Sequence, residues 1–94
     1  MKRKIITLTE VGYTKFEGEK YFNDTFKYEL QDAINENYIL QLDDSKLLCL
    51  PITYIGAIID LSIETFGFDN MADHTDTTHL TKIFPPLNAD YSNI

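Results

Sequence analysis

The chain has no tryptophan, a single cysteine, and only four glycines and three prolines in 94 residues. One cysteine, Cys49, excludes an intrachain disulfide framework and fits a reducing compartment. Scattered glycines cannot build a Walker loop or a dinucleotide fingerprint, and no G-x-S-x-G occurs. No apolar run approaches the roughly 20 residues of a membrane span. The opening MKRKIITLTEVGY is basic, but the stretch behind it is too short and too polar for a secretory signal. These absences lead us to expect a cytoplasmic chain without a cofactor.

Positive charge is also scarce. Eight bases stand against fifteen acids, for a net charge of −7. Residues 1 to 48 hold seven bases and nine acids, whereas residues 49 to 94 hold Lys82 alone against six acids. A nucleic-acid backbone is bound by Lys and Arg that displace counterions, so direct nucleic-acid binding is not expected. Anionic membrane surfaces are disfavoured for the same reason. A basic protein surface is a permitted partner, because opposite potentials steer association. The short run Lys2-Arg3-Lys4 reads as a fraying terminus.

What is present suits one small globular domain, residues 1–94. The composition is 44% hydrophobic, and six Phe and six Tyr can supply a core. The β-branched stretch near 4 to 11 reads as a strand. A helix is expected near 24 to 36, where Phe26, Leu30, Ala33 and Ile34 recur at helical spacing, with Asp24 as cap and Asn37 as stop. Phe16 to Glu19 reads as a turn. YILQLDDSKLLCL, residues 38 to 50, reads as a β-hairpin turning at Asp43-Asp44-Ser45-Lys46, with strands at 38 to 43 and 46 to 50 and an end at Pro51. Residues 52 to 68 admit two readings. Ala57, Ile59, Leu61 and Ile63 alternate as in a strand. Ile52, Ile55, Ile59, Ile63 and Phe66 recur as in a helix that starts at Pro51. The β-branched load favours a strand near 55 to 65, and Gly67 breaks either one. Pro85-Pro86 predicts an extended C-terminal tail from about residue 82. The expected fold is therefore α+β: a small antiparallel sheet of about four strands with one packed helix. An SH3-like barrel with an inserted helix is the close alternative.

The one cluster that suggests chemistry is DNMADHTDTTH, residues 69 to 79. On a helix, Asp69, Asp73, Asp76 and His79 would share about a third of the circumference and invite a cation. The threonines make a poor helix, and the spacing fits neither a calcium loop nor a zinc-protease motif. A solvated loop is the plainer reading, with Asp73, Asp76 and His79 as the lesser metal candidates. Cys49 among leucines reads as a small hydrophobe rather than a nucleophile, so no catalytic residue is assigned.

The functional expectation is a non-enzymatic protein-binding module. Its sharpest form is an inhibitor, of phage or mobile-element type, that blocks a nucleic-acid-binding host protein by presenting carboxylates where phosphates would sit. Asp60, Glu64, Asp69, Asp73 and Asp76 are the candidate contacts. In size and charge the chain resembles small phage-encoded inhibitors such as anti-CRISPR proteins and uracil-DNA glycosylase inhibitors; no motif carries that likeness. The alternatives are an assembly subunit that forms a homo-oligomer through an exposed strand edge, and a small metal-dependent enzyme built on residues 69 to 79.

Overall fold

The computed structural model describes residues 1–85. Strand β1 (Arg3–Thr7) leads into helix α1 (Lys15–Tyr21), a π-helical turn (Phe22–Phe26) and helix α2 (Lys27–Glu36), which follow one another without a break. Strand β2 (Ile39–Asp43) and the short β3 (Leu50–Pro51) come next, then helices α3 (Ile52–Phe66) and α4 (Phe68–His74), and the two-residue strands β4 (Thr75–Asp76) and β5 (Ile83–Phe84).

The strands form two small sheets, in the orders β1-β2-β4 and β3-β5, and every pairing is parallel. Neither an antiparallel sheet nor a barrel is present among the described residues, contrary to the sequence-based expectation. The reason lies in the connections. Parallel neighbours need a crossover, and the helices supply it: α1 and α2 between β1 and β2, α3 and α4 between β2 and β4. β2 is then central, with both edges occupied, so residues 46 to 50 do not pair with it, Leu50 joins β5 instead, and the expected hairpin does not form. Only the Asp43 turn survives from it: the Asp43 carboxylate accepts from the Ser45 amide at 3.1 Å and from its hydroxyl at 3.0 Å.

The second correction is α3. Residues 55 to 65 are helical, not a strand. Ile58 is the residue the alternating pattern could not place; in the helix it is 1% exposed, beside buried Tyr54, Ile55 and Ala57. Burial on most of its circumference overrides the β-preference of its isoleucines. The buried Ser62 hydroxyl donates to the Ile58 carbonyl at 2.7 Å and so needs no outside partner. Pro51 precedes the helix in extended conformation, and Gly67 closes it at φ 88°.

The third correction is at Phe16 to Glu19, which lie in α1 rather than a turn. The start is fixed by Thr14 and Glu17: the Glu17 amide donates to Thr14 Oγ1 at 3.1 Å, and that hydroxyl donates to Glu17 Oε1 at 2.9 Å. The expected helix at 24 to 36 is thus the later part of a longer one, and Asp24 sits mid-helix paired with Lys20 instead of capping. Asn37 ends α2 in the left-handed conformation, φ 59°.

The π-helical turn has a packing reason. Gly18, Phe22, Phe26, Leu30 and Ala33 are all buried. On an uninterrupted α-helix, residues four apart step round by about 40°, so the first four would drift through about 120°. The wide turn, in which the Lys27 amide bonds the Phe22 carbonyl, absorbs one residue and returns the stripe to one side. Phe26, Leu30 and Ala33 then meet Leu40 and Leu42 of β2 in the main core, while α1 lies on α3.

Candidate functional site: an apolar groove between two acidic helices

The α1–α3 crossing is closed. A Cβ on Gly18 would lie 2.3 Å from the Tyr54 carbonyl oxygen and 3.0 Å from Ala57 Cβ, so only glycine lets the helices approach this closely. Tyr54, beneath the crossing, packs beside Tyr21 with the rings tilted by 39° and their centroids 6.2 Å apart. Burial, reinforced by Tyr21 and Glu17, pushes its phenol up to about 12.

The opposite side of α3 is open. There a groove of about 400 Å³ runs between α3 and α4. Ile52, Ile55, Gly56 and Ile59 of α3 form one wall, and Phe68, Met71 and Ala72 of α4 another. Leu80 and Ile83 close the end. Phe68 at the rim is 62% exposed. Gly56 lies in the interior of α3, where glycine costs roughly 0.5–1 kcal/mol relative to alanine. Among the described residues nothing lies within 4 Å of where its Cβ would be, so none of them requires the glycine. Its missing side chain leaves the groove wall hollow. Thr75, also lining the groove, carries a buried hydroxyl with no hydrogen-bond partner among the described residues.

The far wall is held by Asp44. This carboxylate is fully buried, and it accepts from the Lys82 amide at 2.8 Å and from the Thr81 amide at 3.0 Å to both oxygens. The Leu50 amide adds a 2.7 Å bond to the Lys82 carbonyl. Together they fasten the segment carrying Leu80 and Ile83 to the β2–β3 loop. Ile83 and Phe84 of the expected tail therefore pair with β3; the rest of that tail, from Pro86 on, falls outside the described residues.

Charge distinguishes the two helices that form this groove. From Leu47 to Thr81 the chain has no Lys or Arg. Asp60 lines the groove, with Glu64 one turn further along α3. Asp69 and Asp73 lie one turn apart on α4. All four are exposed, and among the described residues none forms an ion pair.

Asp76 is different. Strand β4 delivers it to a separate depression shared with Asp73, Ile39 and Arg3. Its Oδ2 receives Arg3 Nη1 at 2.6 Å, and its Oδ1 accepts from the Thr78 amide at 2.8 Å and hydroxyl at 2.6 Å. The Thr78 hydrogen bonds and the Arg3 guanidinium hold its carboxyl at about 2, well below the usual carboxylate range. Of the five sequence-designated acids, four face solvent unpaired, and Asp76 is already matched inside the chain.

The two histidines do not converge on those acids. Helix α4 ends at His74, so Asp76 and His79 leave the helical face that would have gathered a cation. His74 is buried and its Nδ1 donates to the Tyr38 carbonyl at 2.9 Å, fixing the tautomer. His79 is exposed, with Nε2 3.6 Å from Asp76 Oδ2. Among the described residues no three His, Cys, Asp or Glu side chains are placed to share a metal ion. No described helix is long and apolar enough to cross a membrane.

Sequence reading missed the groove, because it requires two helices where a strand and a loop were expected. One signal was available: the helical spacing of Ile52, Ile55 and Ile59 with Gly56 among them. Comparison of the chain with protein-family models, curated proteins and solved structures finds no match.

Proposed function

We propose that this chain is a small acidic protein-binding module, not a catalyst, and that it seats an apolar side chain of a basic partner segment in the α3–α4 groove. Gly56 carries the reading: a helix-interior glycine with empty space above it favours a groove kept open for an occupant. The four unpaired carboxylates on α3 and α4 select a partner whose apolar anchor is flanked by Lys or Arg. The narrower reading, that the partner is a nucleic-acid-binding protein and the module its inhibitor, draws on the net charge of −7.

The test compares three forms in parallel pull-downs from a candidate host lysate: the native chain, Gly56→Leu, and Asp60→Asn/Glu64→Gln/Asp69→Asn/Asp73→Asn. A partner bound by the native chain should be lost from Gly56→Leu, with affinity at least about tenfold weaker. Binding to the quadruple variant should weaken and lose most of its salt dependence. Equal retention by all three forms would refute the groove as the binding site. Displacement by added DNA would support the inhibitor form; indifference to DNA would leave only the broader module.

A further inference from the structure

The groove leaves another surface unexplained. β1 is the outer strand of the three-stranded sheet, and only β2 pairs with it. The Ile39 amide donates to the Lys2 carbonyl, and the Leu8 amide donates to the Asp43 carbonyl. In a parallel ladder this phase turns the backbone of even-numbered residues toward β2. The amides and carbonyls of Arg3, Ile5 and Thr7 therefore point outward, and among the described residues none has a hydrogen-bond partner.

An exposed edge is normally guarded by charge. Of the three nearby cations, Lys2 stands at the end of the strand, and the two within it are turned back onto their own chain. Lys4 Nζ lies 2.8 Å from Glu29 on α2, which raises the lysine pKa, and Arg3 reaches Asp76 across the sheet. What remains at the centre of the edge is Ile5, 60% exposed. The other edge, β4, is only two residues long.

We propose that β1 is a dimerisation strand: two copies join antiparallel along it, Ile5 against Ile5 at the two-fold axis. This register is self-complementary. Arg3 falls opposite Thr7 of the second copy and Lys4 opposite Ile6, so no cation faces a cation. Arg3, Ile5 and Thr7, whose backbones are free, become the hydrogen-bonded pairs of the new ladder. The two sheets become one of six strands. Each copy brings a net charge of −7, so the contact is weak and tightens as salt is added. Partner binding at the acidic helices runs the opposite way.

Sedimentation and light scattering between about 10 μM and 1 mM, the range of weak specific contacts, test the idea. A monomer–dimer equilibrium that strengthens with salt is expected. Ile5→Pro removes an outward amide that the β1–β2 ladder does not use, and Ile5→Lys adds repulsion. Each should weaken the dimer at least about tenfold while circular dichroism stays native. In a Cys49→Ser background, Ile5→Cys should cross-link on oxidation, since hydrogen-bonded antiparallel pairs hold Cα atoms about 5.5 Å apart. Arg3→Cys should not, because its twin would lie more than about 10 Å away. A monomer at all concentrations would overturn the proposal. So would a folded Ile5→Pro that still dimerises, equal cross-linking of both cysteine variants, or a dimer dissolved by Gly56→Leu but not by the Ile5 changes.

Discussion

Helix α3 has two glycine-dependent sides, and they could hardly differ more. On one side Gly18 of α1 presses onto the α3 backbone at Tyr54, where even a methyl group has no room. On the other, Gly56 opens onto empty space in a groove of about 400 Å³. In local structure the two residues look alike: each is a glycine inside a helix, with an intrinsic cost of similar size. Only the neighbours tell them apart. At Gly18 the cost is offset by close packing of two helices. At Gly56 no contact among the described residues offsets it, which is why that side is the better candidate for meeting another molecule.

Charge follows the same division. The α1–α2 side forms two ion pairs, Lys4–Glu29 and Lys20–Asp24, and its other acids share that side with Lys15 and Lys27. On α3 and α4, Asp60, Glu64, Asp69 and Asp73 have no such partners among the described residues. A surface ion pair adds little stability, so the consequence is for recognition more than for folding.

The contrast is open to direct attack. Gly18→Ala has the largest expected effect. Its methyl would force α1 and α3 apart and cost about 2–3 kcal/mol, read as a lower urea midpoint at unchanged slope. Unchanged stability would mean that the crossing is looser than the geometry shows. Asp76→Asn probes the internally matched charge. Because the folded carboxyl sits at about 2, below its ordinary 3.8, its contribution is present above pH 4 and is lost as pH falls through about 2. The variant should be less stable at pH 7, and the difference should vanish by about pH 2. A gap of constant size across an acid titration would remove the carboxylate as its cause. Gly56→Ala has the smallest effect and the opposite sign to Gly18→Ala: a gain of roughly 0.5–1 kcal/mol in chemical denaturation. A loss there would show that the groove wall is packed in solution.

The punctuation of this fold was legible in the sequence. Asn37, Pro51 and Gly67 stop or start the elements they were expected to, because their backbone preferences are local. The start of α1 has a local signal too, since Thr14 and Glu17 have the three-residue spacing of a capping box, although Gly18 within Phe16 to Glu19 suits a turn equally well. Strand direction was not legible. Whether residues 46 to 50 fold back on β2 depends on β1 and β4 taking both of its edges, and those strands pair with β2 from more than thirty positions away. The same holds for the site. Asp76 looked like one of five equivalent acids, and only its pairing with Arg3, 73 residues earlier, removes it from the free set. Asp44 looked like half of a turn. Its burial follows from the Thr81 and Lys82 amides that arrive late in the chain.

The π-helical turn at Phe22–Phe26 bears on how this chain can change its length. Elsewhere in the helix from Lys15 to Glu36, losing one residue would swing everything before it by about 100° and carry Gly18 off Tyr54. Within the wide turn, an extra residue is already absorbed, and Asn23, Asp24 and Thr25 lie exposed. Deleting one of them would draw the turn down to an ordinary α-helical one and leave Gly18 and Phe26 facing as they do now. Related chains shorter by one residue can therefore be aligned with the gap there, with both ends of the helix kept in register.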